Sequence, residues 1–333
     1  MKNFYRTIVF TKAPLGGYYR YKDVFQILPC EIESMPSSIY QEHHPNILEF
    51  WTDEHEKVTV PIEFEELQDS MDLTATSVTK QDKLLTLLST FTNNLFFKYQ
   101  PMSGTWGIPL PATEVGDEID SVSSQWCMRL YHSPGMFKSF KENQFTAPTY
   151  EPIKRVAHRD YYTNNPNLDF KGDKRIELPE TIDSLFDNYF SLEPRIAKIA
   201  DIAASYVVSA VELRNSRKTL SLLAAFTALE TMVNLEFKDH KPETCSECSQ
   251  KKFSIAKKFR EYLLKYIGES DANKKKFNSY YSVRSKIVHT GEQLKTELLF
   301  ADVSKEDQHK EFTTSIEILQ LSKLSIINWL LKR

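Results

Sequence analysis

The hydrophobic pattern changes character about halfway along the chain. From Leu178 onward, apolar residues recur at three- and four-residue intervals, the period of one helix face after another. Ile182, Leu185, Phe186, Tyr189 and Phe190 form one stripe, opened by Pro179-Glu180-Thr181. Pro194 suits the first turn of the next helix, where its missing N–H costs nothing. Ile196, Ile199, Ala203, Tyr206, Val207 and Ala210 continue it. Asn215-Ser216 punctuates before a third helix carrying Leu220, Leu223, Phe226, Leu229, Met232 and Val233. A fourth holds Ile255, Phe259, Tyr262, Leu263 and Tyr266, and stops at Gly268. A fifth runs from about Asp271 to His289, with Thr290-Gly291 beyond it. The last carries Phe312, Ile316, Leu319, Leu324, Ile327 and Leu331. This half predicts a bundle of five or six helices.

The first half is mixed. Leu48-Glu49-Phe50-Trp51 and the run from Lys57 to Phe64 alternate as strands do. Pro14-Leu15-Gly16-Gly17 is a turn signal. Leu84 to Tyr99 predicts a helix, with Leu84, Leu87, Leu88, Phe91, Leu95 and Phe96 on its apolar stripe, broken by the run from Thr105 to Pro111. Tyr150 to Lys174 is polar, aromatic and proline-containing, and predicts a connector. The expected architecture is an α+β N-terminal domain over residues 1–175, followed by an all-α helical bundle over 176–333, mostly α overall.

Composition narrows the function. At 333 residues, 41% hydrophobic and 26% charged, the chain has the make-up of a soluble globular protein of two domains. Its net charge is −3, but the charge is uneven. From Lys238 to Lys286 there are thirteen Lys/Arg and six Asp/Glu, an excess of seven that leaves about −10 for the remainder. A basic surface of this kind suits a polyanion, and it equally suits a solvated lysine-rich helix face. Met1 to Arg6 lacks the apolar core of a secretory leader. The most apolar helical stretch, Ile196 to Leu213, is interrupted by Lys198, Asp201 and Glu212, so no membrane span is expected. Four cysteines do not make a disulfide framework at this size, and a reducing cytoplasm is the expected compartment.

The basic stretch ends in Arg284-Ser285-Lys286-Ile287-Val288-His289. RNA can be cut without metal if one group deprotonates the ribose 2′-OH and another steadies the charge growing on the phosphate. Histidine titrates near neutral pH and suits the first task. Arginine stays charged and offers a planar fork to phosphate oxygens. Five residues apart on a helix means about 140° around the axis and about 7.5 Å along it. One helix therefore does not aim both groups at one atom unless the long Arg284 side chain bends around. Two such helices crossing at a two-fold axis would, so a homodimer with a shared cleft is expected. His289 lies at a helix C-terminus, where the dipole favours its charged form.

Three features carry a resemblance in this half. Tyr280 to His289 is similar to a tyrosine-containing Arg-x(4–6)-His helix. Ala228-Leu229-Glu230 lies in an apolar helix upstream. Both sit in this order within an all-helical region. Over roughly the last 150 residues the chain resembles a HEPN domain, specifically the Apea-like HEPN family. The resemblance implies a dimeric, metal-independent endoribonuclease of the Arg-x4-His type, acting in antiphage defence by abortive infection or as a toxin. Arg284 and His289 would be catalytic, with no cofactor. The residue after the arginine is often Asn, Asp or His in such nucleases; here it is Ser285, a weaker hydrogen-bonding group. Some HEPN domains are non-catalytic, so a module that binds RNA or a partner protein is the alternative. Glu230 is a candidate to orient Arg284 or His289, or an exposed helix carboxylate. Tyr280 and Tyr281 are candidates to stack on bases, Tyr281 the supporting one, with one of the pair expected in the core. Lys274, Lys275, Lys276 and Lys286 are candidate RNA contacts. The N-terminal domain would bind a phage-derived or cellular trigger.

Other motifs add less. Cys245-Ser246-Glu247-Cys248 has metal-ligand spacing, with His240 upstream. Structural zinc wants four ligands, which Cys30 and Cys127 would have to complete; two reduced thiols in a loop fit the same spelling. His158-Arg159-Asp160 spells a kinase catalytic loop, but Lys171 stands where Asp169-Phe170 would need a glycine, and nine glycines in the chain supply no phosphate loop. His43, His44 and His55 with their neighbouring glutamates have no diagnostic metal spacing.

Overall fold

The computed structural model describes residues 3–30, 44–53, 55–98, 144–165, 174–239, 243–244, 251–252, 255–298 and 301–333. The chain is mostly helical, with an N-terminal sheet and a C-terminal helical part. It divides into two compact units, Met1–Leu88 with Thr92–Glu180, and Ser89–Phe91 with Thr181–Arg333. The expected boundary at 175/176 lies just before this division.

The first unit is built on a five-stranded sheet. β1 (Asn3–Thr11), β2 (Tyr19–Tyr21), β3 (Phe25–Pro29), β4 (His44–Thr52) and β5 (Phe96–Phe97) stand in the order β2-β3-β4-β1-β5. Every pairing is antiparallel, with Tyr5 opposite Phe50 and Phe25 opposite Phe50. Val9, Phe25, Leu48 and Phe50 are sealed from solvent.

Two of the expected elements change. The run from Lys57 to Phe64 is no strand. Pro61 has no N–H to give a ladder, and helix α1 (Gln68–Phe91) takes up Val58: its N–H donates to Asp72 Oδ1 at 2.9 Å and its carbonyl accepts from Gln68 Nε2 at 2.8 Å. α1 also begins earlier and ends sooner than the apolar stripe suggests. Thr92 turns to extended geometry, its hydroxyl donating to Leu88 O at 2.8 Å, so Leu95 falls beyond the helix and Phe96 enters β5.

The expected connector is packed structure where it is described. Ile153, Tyr161 and Tyr162 are buried, and β6 (Arg155–Val156) pairs in parallel with β7 (Leu178–Pro179). Backbone bonds tie Glu151 and Ile153 to Tyr18, and Ile176 to Pro14 and Gly16, which explains the glycines of the Pro14–Gly17 turn: a Cβ on Gly16 would lie 2.6 Å from Ile176 O, and one on Gly17 2.1 Å from Glu151 O.

The second unit has six described helices: α2 (Ile182–Phe190), α3 (Pro194–Leu213), α4 (Lys218–Glu236), α5 (Ile255–Tyr266), α6 (Asp271–Thr290) and α7 (Lys305–Leu331). A two-stranded ladder, β8 (Glu243–Thr244) with β9 (Lys251–Lys252), lies between α4 and α5 in sequence. α4 buries residues on all its sides, which marks it as the central helix. It packs against α3, α5, α6 and α7. α3 meets it with Ala203, Ala204, Val207 and Ala210, small enough for Ser221 Oγ to donate to Ala210 O at 2.6 Å. Phe226, Phe259, Tyr262, Phe277 and Trp329 fill the centre. Full burial of each such ring is worth about 1.5–3 kcal/mol. None of the helices is long and apolar enough among the described residues to cross a membrane.

Candidate functional site

The site starts from α6. Ser270 caps it by accepting from Asn273 N at 3.1 Å, and Asp271 complements the positive end. Gly291, at φ 69°, ends it in the left-handed region, its N–H bonded to Ile287 O. The helix is held to the bundle by Phe277 and Tyr280, both buried. Tyr280 donates its hydroxyl to the Glu317 carboxylate on α7, and burial together with that carboxylate raises its pKa. Of the two tyrosines, Tyr280 is therefore the core residue.

Tyr281 lies one step around the helix and is only part-buried. Its ring sits 5.5 Å from Phe259 on α5, and the Arg284 guanidinium stands 5.9 Å from its centre. Arg284 is also met from α4. Its Nε lies 2.6 Å from Glu230 Oε1 in an ion-pair contact, and its Nη2 donates to Oε2 at 2.9 Å. The two side chains are 18% and 22% exposed, so solvent reaches both. Nη1 makes no hydrogen bond to the described residues. Glu230 thus orients Arg284 and not His289. The Ala228-Leu229-Glu230 turn explains the geometry: Ala228 and Leu229 are buried and lock α4, leaving Glu230 at the margin facing α6.

His289 is exposed in the last turn of α6, and its side chain makes no hydrogen bond to the described residues. Ser285 is part-buried. The four lysines differ. Lys276 pairs with Glu317 at 2.7 Å, and Lys274 lies 3.4 Å from Asp271 and 4.0 Å from Glu269. Lys275 and Lys286 are exposed without an ion pair to the described residues. So two of the four candidate RNA contacts have their charge locally matched.

No protein-family model, curated protein or solved structure matches this chain. The arrangement must therefore be judged by its own chemistry. It offers one oriented, solvent-touched guanidinium and one exposed imidazole, on opposite sides of the same helix end.

His240, Cys245, Cys248 and Cys127 lie outside the described residues, while Cys30 is buried at the end of β3. Among the described residues no group of three or more His, Cys, Asp or Glu is placed to hold a metal. The His158 ring lies tilted against Tyr162, 4.8 Å between centres, and burial lowers its pKa against the opposing pull of Glu180; Asp169, Phe170 and Lys171 lie outside the described residues. His44 pairs with Thr11 in the sheet and His55 is exposed, while His43 is outside the described residues. Sequence reading missed Glu317, which holds both Lys276 and Tyr280; one glutamate in an α7 rich in polar residues gives no local signal.

Proposed function

We propose that this chain is a metal-independent endoribonuclease of the HEPN kind, with an Apea-like C-terminal domain. The observation that carries the reading is the Arg284–Glu230 pair, which joins the two motifs behind the resemblance into one site. Arg284, steadied by Glu230 and Tyr281, binds the scissile phosphate through its remaining N–H groups and stabilises the charge of the transition state. His289 is distant around the helix, so a second copy completes the site in a homodimer. One His289 takes the proton from the 2′-OH as that oxygen attacks phosphorus. The partner's His289 gives a proton to the departing 5′ oxygen as the P–O5′ bond breaks. The products are a 2′,3′-cyclic phosphate and a 5′-hydroxyl. Ser285 supports the phosphate, and Lys275 and Lys286 add charge for the RNA. The catalytic step uses no metal; zinc at Cys245 and Cys248 would be structural. Antiphage defence by abortive infection, or toxin action, in the cytoplasm is the role proposed, with the N-terminal unit sensing a phage-derived or cellular trigger.

The deciding experiment is digestion of total RNA by the purified protein in excess EDTA, alongside Arg284→Ala and His289→Ala. Cutting that survives chelation, leaves cyclic-phosphate ends and disappears in both variants supports the proposal. Equal cutting by all three proteins sinks it. A second reading, a non-catalytic module that binds RNA or a partner protein, is favoured by one observation: a guanidinium already paired with Glu230 has less to offer a phosphate.

A further inference from the structure

A second feature of the helical unit lies apart from the Arg284–Glu230 pair. Between the end of α3, the start of α4 and the N-terminal turns of α7 there is a cleft of about 910 Å³. One wall presents Lys305, His309 and Phe312, which share a face of α7 at steps of four and three residues. The opposite wall presents Arg214 and Lys218. Phe312 is 57% exposed, unusual for so large an apolar ring, and the Arg214 guanidinium stands 5.7 Å from its centre.

The floor of the cleft is the segment Leu294–Leu298, and it is pinned. Leu294 N donates to Thr219 Oγ1 at 3.0 Å, while Thr219 N donates to Glu297 Oε2 at 2.8 Å. Lys295 N and Thr296 N both donate to the Glu311 carboxylate, at 2.8 and 3.0 Å. The lining holds Arg214, Lys218, Lys295 and Lys305 against two carboxylates, Glu311 and Asp302. Lys295 is paired with Asp307 at 3.2 Å, and Lys218 Nζ lies 3.5 Å from Thr296 O. The lining therefore keeps a small cationic excess around one open aromatic face. The same segment begins five residues after His289, so the Leu294 Cα lies within about 18 Å of that residue's Cα.

We infer that this cleft is a strand-holding subsite for single-stranded RNA: a base stacks on Phe312 beside Arg214 while Lys218 and Lys305 take the flanking phosphates. Aromatic faces accept any base, and lysines read the backbone without sequence. The inference rests on the ribonuclease reading for what the subsite is for, and not for whether RNA binds there. It assigns the enzyme a substrate class, unpaired RNA.

The test is binding of a fluorescent single-stranded 12-mer RNA to the full chain carrying His289→Ala, followed by anisotropy across a salt series. Phe312→Ala should weaken binding about tenfold, and Phe312→Trp should restore it. Lys218→Ala and Lys305→Ala should each lower the salt slope by about one. Undiminished binding by Phe312→Ala would overturn the inference. So would displacement of the 12-mer by AMP at equal molarity, which would make a free nucleotide the ligand. Loss of self-association in Phe312→Ala, with RNA binding intact, would assign the cleft to a protein partner instead. Phe312-dependent RNA binding in a protein that never cuts RNA would keep the subsite and discard the nuclease.

Discussion

Each unit is organised around an arginine–glutamate pair, and the two pairs could hardly differ more in setting. In the sheet unit, Arg6 meets Glu49 across β1 and β4 with side chains only 1% and 0% exposed. Glu49 also accepts from Gln26 Nε2, Thr146 N and Thr146 Oγ1, and Arg6 Nη2 donates to that same hydroxyl. Most of the polar atoms of this network are spent on the fold, although Arg6 Nη1 and Gln26 Oε1 remain buried without a hydrogen bond. In the helical unit, Arg284 and Glu230 hold each other part-buried, with Glu230 Oε1 shielded from solvent, and Nη1 of Arg284 makes no hydrogen bond to the described residues. The same two residue types make a strut in one place and an oriented, available cation in the other. Burial and the number of additional partners decide which.

The largest effect should come from breaking the buried pair. Glu49→Ala strands the Arg6 charge and removes the acceptor of Gln26 and Thr146, at a cost of about 3–5 kcal/mol in urea unfolding. A loss below about 1 kcal/mol would mean that water reaches Arg6 and that the contrast with Arg284 is false. High salt should leave the Arg6–Glu49 contribution unchanged, because ions screen buried pairs poorly.

The helical unit has its own buried charge to set beside that pair. Lys323 on α7 is 2% exposed, and burial lowers its pKa to about 7. Unfolded, a lysine titrates near 10.4. Between these values the unfolded chain binds the extra proton, so stability rises with pH from about 7 to about 10. Below 7 both states hold the proton and the burial penalty is complete. The slope is at most about 1.4 kcal/mol per pH unit. Denaturation at pH 7 and pH 9 should show this gain in the wild type and lose it in Lys323→Met; equal slopes in the two proteins would reject it.

How legible all this was differs by region for physical reasons. The helices were readable because their cores repeat at helical spacing, and Ser270 and Gly291 mark the ends of α6. The site pair was readable because Arg284 and Glu230 each sit in a short spelled motif. The sheet was harder. β1 runs Phe4-Tyr5-Arg6-Thr7-Ile8-Val9-Phe10 between two neighbouring strands and shows no alternation to detect. The Lys57–Phe64 run does alternate, yet side chains of α1 claim its backbone. Periodicity also put Leu220, Ile255 and Phe312 in the core, where they are about half exposed. The rule finds which residues share a face, not which faces are covered, and so it hid the cleft, whose walls come from sequence positions about ninety residues apart.

The smallest effect on stability should be at the part-exposed pair of Arg284 and Glu230, and that is what makes it the sharper test. Arg284→Ala and Glu230→Ala should each cost about 1 kcal/mol or less, since solvent can rehydrate the survivor. If Glu230 positions Arg284 for catalysis, RNA cutting should fall far more than stability. Glu230→Gln keeps an acceptor for Nη2 but gives up the charge, so cutting should rank wild type, then Glu230→Gln, then Glu230→Ala, with kcat moving and KM nearly constant. A pair that merely braces α4 against α6 predicts another outcome: thermal midpoints follow that order while RNA cutting tracks only the folded fraction. Should Glu230→Ala instead bind RNA more tightly without cutting it, the paired guanidinium is a restraint on binding, and the helical unit is a module that holds RNA and leaves it whole.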